Sequence, residues 1–65
     1  MTQEVYAGVD VSKDWLDADW GKQQRYENSP RGIKRLVARL SKVRASLVVV
    51  ESTGGYERKL VEALR

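Results

Sequence analysis

Two acidic residues close apolar runs at opposite ends of the chain. Asp10 lies in Gly8-Val9-Asp10-Val11-Ser12-Lys13, and Glu51 follows Val48-Val49-Val50 and precedes Ser52-Thr53-Gly54-Gly55-Tyr56. Both runs are rich in β-branched residues and both stop at small, flexible ones, the pattern of a strand entering a loop. A strand delivers its last side chain to a fixed point. If the two strands lie side by side and parallel, the carboxylates stand about 5 Å apart on one sheet edge. Two hard oxygen donors at that spacing outline a divalent-metal site, and metal-assisted phosphodiester chemistry is a reaction class such a site serves.

Composition narrows the metal. The 65 residues include no cysteine and no histidine. Disulfides, thiolate zinc and an imidazole base are therefore excluded. The ion has to be oxygen-bound, magnesium or manganese being the natural choices. Two nearby carboxylates repel when no cation lies between them, and two ligands make a weak magnesium site unless water or phosphate completes it. A net charge of +3 and a pI of about 9.5 suit a nucleic-acid partner without requiring one. No apolar run reaches the roughly 20 residues of a membrane helix, and no signal-peptide core opens the chain. A soluble, cytoplasmic, single-domain protein is expected.

The elements that must hold Asp10 and Glu51 follow from periodicity. Val5, Ala7, Val9 and Val11 alternate with Tyr6, Gly8 and Asp10, predicting a first strand. Leu16, Ala18 and Trp20 alternate with Asp17 and Asp19, predicting a second, and Gly21-Lys22 reads as a two-residue hairpin turn. Gln23 to Asn28 is polar except for Tyr26, as suits a solvated edge strand. Ser29-Pro30 marks a helix start. Ile33, Leu36, Val37 and Leu40 form its apolar stripe, with Arg31, Lys34, Arg35, Arg39 and Lys42 opposite. Leu47 to Glu51 is a continuous apolar strand of the type buried on both faces. Thr53-Gly54-Gly55 then turns into a second helix with Tyr56, Leu60, Ala63 and Leu64 as its stripe. The order is β-β-β-α-β-α. A crossover helix returns the fourth strand parallel to the first, giving a mixed α/β sheet of order 3-2-1-4. Ligands collect beyond the carboxyl ends of such strands. With both helices on one face, Leu47 and Val49 would stand bare on the other, beside an open strand edge. That predicts self-association.

These motifs resemble a known group. Tyr6-Ala7-Gly8-Val9-Asp10-Val11-Ser12-Lys13, Leu16-Asp17, Asn28 with Gly32 and Leu36, and Glu51-Ser52-Thr53-Gly54-Gly55-Tyr56 with Leu60 and Leu64 are similar to the start of the DEDD-type insertion-sequence transposases. These are relatives of the Piv/MooV DNA invertases, the IS one-ten family. The resemblance implies an RNase H-like, RuvC-type fold, of which this chain would be the amino-terminal, truncated part. It implies a magnesium-binding Asp-Glu-Asp-Asp set, with Asp10 matching the first member and Glu51 the second. The other two members and a later domain with a serine nucleophile lie downstream in the family. It further implies DNA as substrate, a structured guide RNA and a homo-oligomeric assembly. With half the carboxylate set, this piece is expected to bind magnesium weakly and to cut no DNA alone.

Other residues are weighed beside this pair. Lys13, next to Asp10, and Thr53, close after Glu51, are candidate phosphate contacts. The loop around Thr53 also reads as an ordinary helix cap with a tight turn, since no P-loop lysine follows. Arg31, Lys34, Arg35 and Arg39 offer either a nucleic-acid face or a solvated helix exterior. Asp14, Asp17 and Asp19 read as exposed hairpin residues, and Trp15 and Trp20 as core or interface. The alternative function is a non-catalytic nucleic-acid-binding or self-association module. A phosphate-binding lobe of an actin-like sugar-kinase ATPase also opens with an acidic, glycine-containing strand. Glu51, and the lack of a second glycine-rich hairpin, count against it.

Overall fold

The computed structural model describes residues 4–52 and 54–65. Its elements run β1 (Val5–Val11), β2 (Trp15–Asp19), β3 (Gln23–Glu27), α1 (Pro30–Lys42), β4 (Ala45–Ser52) and α2 (Arg58–Leu64). The four strands form one sheet of order β3-β2-β1-β4. β1 is antiparallel to β2 and parallel to β4, and β2 is antiparallel to β3. The α/β layout and strand order are those anticipated from the sequence.

One face of the sheet carries the whole core. Ala7, Val9 and Val11 of β1 and Leu16 and Ala18 of β2 pack with Ile33, Leu36 and Leu40 of α1 and Leu60 of α2. Removing that apolar surface from water is the main stabilising term. α1 forms because its apolar positions recur on one side and its start is well capped. Ser29 Oγ accepts from the Gly32 N–H at 3.1 Å, and proline occupies the first turn. Gly32 is required by contact: a Cβ there would lie 1.8 Å from the carbonyl oxygen of Glu27. α1 therefore seats directly on the end of β3. It closes through Arg44, whose φ of 56° is a left-handed conformation that disfavours side chains by about 1 kcal/mol.

Four details differ from the sequence expectations. The β2–β3 loop has three residues, Trp20-Gly21-Lys22, because Asp19 pairs with Gln23. Asp19 Oδ1 accepts from the Gly21 N–H at 2.9 Å and Gly21 adopts φ 95°, so the side chain of Asp19 shapes the turn. β4 begins at Ala45, ahead of the expected Leu47, while its outer face stands bare at Leu47, 54% exposed, and Val49, 49%, as expected with both helices on the other face. α2 begins at Arg58, not directly after the glycines. Its N-cap is Glu57, which makes no side-chain capping bond. Tyr56 and Ala63 are exposed, leaving Leu60 and Leu64 as the stripe.

Candidate functional site

Asp10 and Glu51 are register partners across the parallel β1–β4 pair. Neighbouring strands lie about 4.8 Å apart, so the two residues occupy adjacent positions in one row. Both are exposed, and both belong to the face that no helix covers. β1 positions Asp10 because Val9 and Val11 on either side of it are buried beneath the helices. β4 positions Glu51 in the same way, through the half-buried Val50 and Ser52.

The row continues. Asp10 pairs with Asp17 of β2, and Asp17 pairs with Arg25 of β3. Arg25, Asp17, Asp10 and Glu51 thus cross the entire open face in a line. The two ends of that line differ. Asp17 accepts two hydrogen bonds from Arg25, at 2.7 Å from Nε and 3.2 Å from Nη2. These bonds, and then the charge of Asp17, push the guanidinium pKa above its ordinary value. Among the described residues Asp10 and Glu51 meet no such cation, so like charges stand side by side across strands. Among the described residues no three acidic groups converge on one point. Asp17 lies in line with the pair but is held by Arg25. Asp10 and Glu51 line a trough of about 680 Å³ on the open face, shared with Asp17, Asp19, Gly8 and Val49. Gly8 leaves its floor bare, since no atom lies near the position of a Cβ there. A glycine inside a strand is a common mark of close approach by a ligand.

Asn28 ties together the loops that follow the two carboxylates. Its Nδ2 donates to the Ser12 carbonyl at 2.8 Å and, more weakly, to the Tyr56 carbonyl at 3.5 Å. Its backbone N–H donates to the Asp14 carbonyl at 2.8 Å. One side chain between β3 and α1 thereby fixes where the chain goes after β1 and after β4. Lys13 lies exposed in the first of these loops, close in sequence to Asp10. Thr53 lies outside the described residues.

The basic residues fall elsewhere. Arg31, Lys34, Arg35 and Arg39 are all exposed on α1, and α1 packs on the sheet face opposite the carboxylates. The site residues anticipated from sequence therefore divide into two surfaces. Asp10, Glu51 and Lys13 gather at the carboxyl ends of β1 and β4, and the arginines cover the helix layer. α1 carries five cations and no acidic residue. One of them, Arg31, lies in the first turn of the helix, where the dipole disfavours positive charge. Arg31, Arg35 and Arg39 also follow one another at the i, i+4 spacing, where like charges repel.

Sequence reasoning missed the parts played by Asp17, Asn28 and Arg25. Only the strand register joins Asp17 to the acidic row. Asn28 stood out as a motif residue, yet nothing in the motif tells which carbonyls it meets. No family model and no curated protein matches the chain.

Proposed function

We propose that this chain is the amino-terminal part of an RNase H-like transposase or recombinase catalytic domain of the DEDD type. Its chemistry in a complete domain is magnesium-dependent phosphodiester cleavage and joining on DNA, carried out in the cytoplasm. The observation that carries the reading is the register of Asp10 against Glu51 on adjacent parallel strands. The motif resemblance matches these same two residues to the first two metal ligands. The residues present suit such an ion: two hard, exposed carboxylates without a cationic partner among the described residues, above a glycine floor with room for phosphate. Asp10 and Glu51 would hold it, with manganese an alternative to magnesium. When bound, the ion supplies polarisation of a phosphate and activation of an attacking hydroxyl. Asn28 keeps the loops after both strands in position, and Lys13 is available to a phosphate arriving there.

Thermal unfolding with and without magnesium tests this reading. Millimolar magnesium should raise the melting temperature, because a ligand that binds only the folded state stabilises it. Asp10→Asn and Glu51→Gln should each abolish the rise. No rise, or a rise that persists in both variants, would remove the metal centre. The chain alone is expected to leave DNA uncut.

A second reading, a non-catalytic nucleic-acid-binding module, draws its support from α1. Five cations with no interleaved acid give α1 an outer face of one sign, and their mutual repulsion is relieved by a polyanion. A structured RNA partner would suit the same surface. Self-association belongs to both readings. Tyr6, Leu47 and Val49 are exposed together on the open face, next to the unpaired edge of β4. Sedimentation should reveal a dimer or larger assembly, and a stable monomer at high concentration would contradict that.

A further inference from the structure

The sheet ends at β3, and the surface changes character there. A crease wraps this edge and joins Trp15 and Arg25 of the open face to Tyr26, Arg31 and Arg35 on the helix side. It gathers three guanidinium groups against one carboxylate, Glu27. Trp15 is 42% exposed although it is one of the largest apolar side chains in the molecule. Its cover is a cation: the Arg25 Cζ lies 4.9 Å from the centre of the indole ring. Asp17 holds that guanidinium along its Nε–Nη2 edge, at 2.7 and 3.2 Å.

A flat aromatic surface, a planar cation stacked on it and further arginines alongside select a ligand that is both flat and anionic. A nucleotide unit has both properties. The ligand also has to be unpaired, because bases inside a duplex are stacked on one another and only a splayed base can reach a side-chain platform. Arg31 and Arg35 are separated by one turn of α1, a rise of about 6 Å, comparable to the step between successive phosphates of an extended strand.

We propose that the β3 edge binds a single-stranded polynucleotide, with a base stacked at Trp15 and Arg25 and its neighbouring phosphates paired with Arg31 and Arg35. The same edge leads to the carboxylates. Arg25 lines both this crease and the trough containing Asp10 and Glu51. From Arg25 to Glu51 the row spans three strand spacings, about 14 Å. A strand anchored at Trp15 therefore runs over Arg25 toward the metal pair. The proposal rests on the nucleic-acid reading above for its ligand, but binding at this edge requires neither Asp10, Glu51 nor a metal.

The test is tryptophan fluorescence of the full chain in EDTA, titrated with a short oligothymidylate. Trp20, the only other tryptophan, is changed to phenylalanine so that Trp15 alone reports. Binding should quench Trp15. Trp15→Ala, followed by anisotropy of a labelled oligonucleotide, should weaken binding roughly tenfold or more, and Trp15→Phe should restore most of it. Arg31→Ala and Arg35→Ala should each lower the salt dependence of the affinity by about 0.7 in logarithmic slope. Circular dichroism checks that each variant remains folded. Unchanged Trp15 emission, equal affinity in folded Trp15→Ala, or equal quenching by a duplex of the same length would overturn the proposal. Quenching in EDTA without any magnesium response would sink the metal centre and leave this edge standing. A magnesium response without quenching would do the reverse.

Discussion

The two faces of the sheet obey opposite rules. On the covered face, Ala7, Val9, Val11, Leu16 and Ala18 meet two helices in a core made of apolar side chains. On the open face, Asp17, Asp10 and Glu51 stand in one row across β2, β1 and β4, and among the described residues only Asp17 is paired with a cation. The first face is arranged for stability. The second keeps like charges together at an energetic cost and exposes Tyr6, Leu47 and Val49 beside them. A domain this small has little stability to spare, on the order of 3–10 kcal/mol by its length. Charge repulsion retained on one face while the other is packed closely is what a binding surface on a scaffold produces.

Changes to the covered face should have the largest effect. Leu36 is fully buried, and Leu36→Ala should cost about 2–5 kcal/mol in urea unfolding, enough to leave much of the chain unfolded. Gly32→Ala forces α1 away from the Glu27 carbonyl, with a loss of about 1–3 kcal/mol. If either variant unfolded like the wild type, the covered face would not be the source of stability.

Asn28 connects the faces, because it holds loops that leave the sheet beside the open-face pair. Asn28→Ala should cost about 0.5–1.5 kcal/mol for the lost hydrogen bonds. It should also weaken the magnesium response more than that loss of stability accounts for, as melting curves at several magnesium concentrations would reveal. An unaltered response would mean that the loops need no such tie.

Substitutions in the row should act with the opposite sign. Without metal, Asp10→Asn removes a like-charge contact with both Asp17 and Glu51. It should stabilise the chain by about 0.2–1 kcal/mol, and the gain should shrink in high salt. A destabilised Asp10→Asn variant would mean that the carboxylate serves the fold and not a ligand.

The smallest effect concerns Tyr6. Its hydroxyl donates to Glu4, and that bond raises the phenol pKa above 10.0, with a lesser contribution from desolvation. The native state therefore holds this proton more tightly than the unfolded chain does. Its slight stabilisation is complete below pH 10 and is lost as pH rises through the raised value. In an alkaline absorbance titration Tyr6 should ionise late, and its transition should move back toward 10 in Glu4→Gln.

Much of this contrast could be read in advance. The alternation from Val5 to Val11 announces both faces of β1, and Ser29-Pro30 with the stripe from Ile33 to Leu40 announces α1. The nearness of Asp10 and Glu51 follows from a crossover helix that leaves β3 and returns β4 parallel to and beside β1. Asp17 was not legible, because its partners depend on loop length. With the two-residue Gly21-Lys22 turn, Asp17 would oppose Tyr26; the third loop residue brings Arg25 opposite instead. A shift of one residue reverses which face a side chain takes relative to its partner, and a local turn set by the Asp19 side chain decides it. The start of α2 is hidden in the sequence for a related reason. Gly54 and Gly55 both adopt positive φ, and the chain needs further residues to recover a helical path before Arg58. Glu57 Oε2 and Ser52 Oγ are buried there without partners among the described residues, so local hydrogen bonding gives no strong signal for where the helix begins.

The most direct test of the central claim is paramagnetic broadening of the amide spectrum by sub-stoichiometric manganese. A cation shared by adjacent strand ends should broaden Asp10, Val11, Glu51 and Ser52 first, and magnesium should reverse the effect by competition. Asp10→Asn should abolish it. Broadening centred on Asp14 or Asp19, or unchanged by that substitution, would show that the two carboxylates do not hold a common ion.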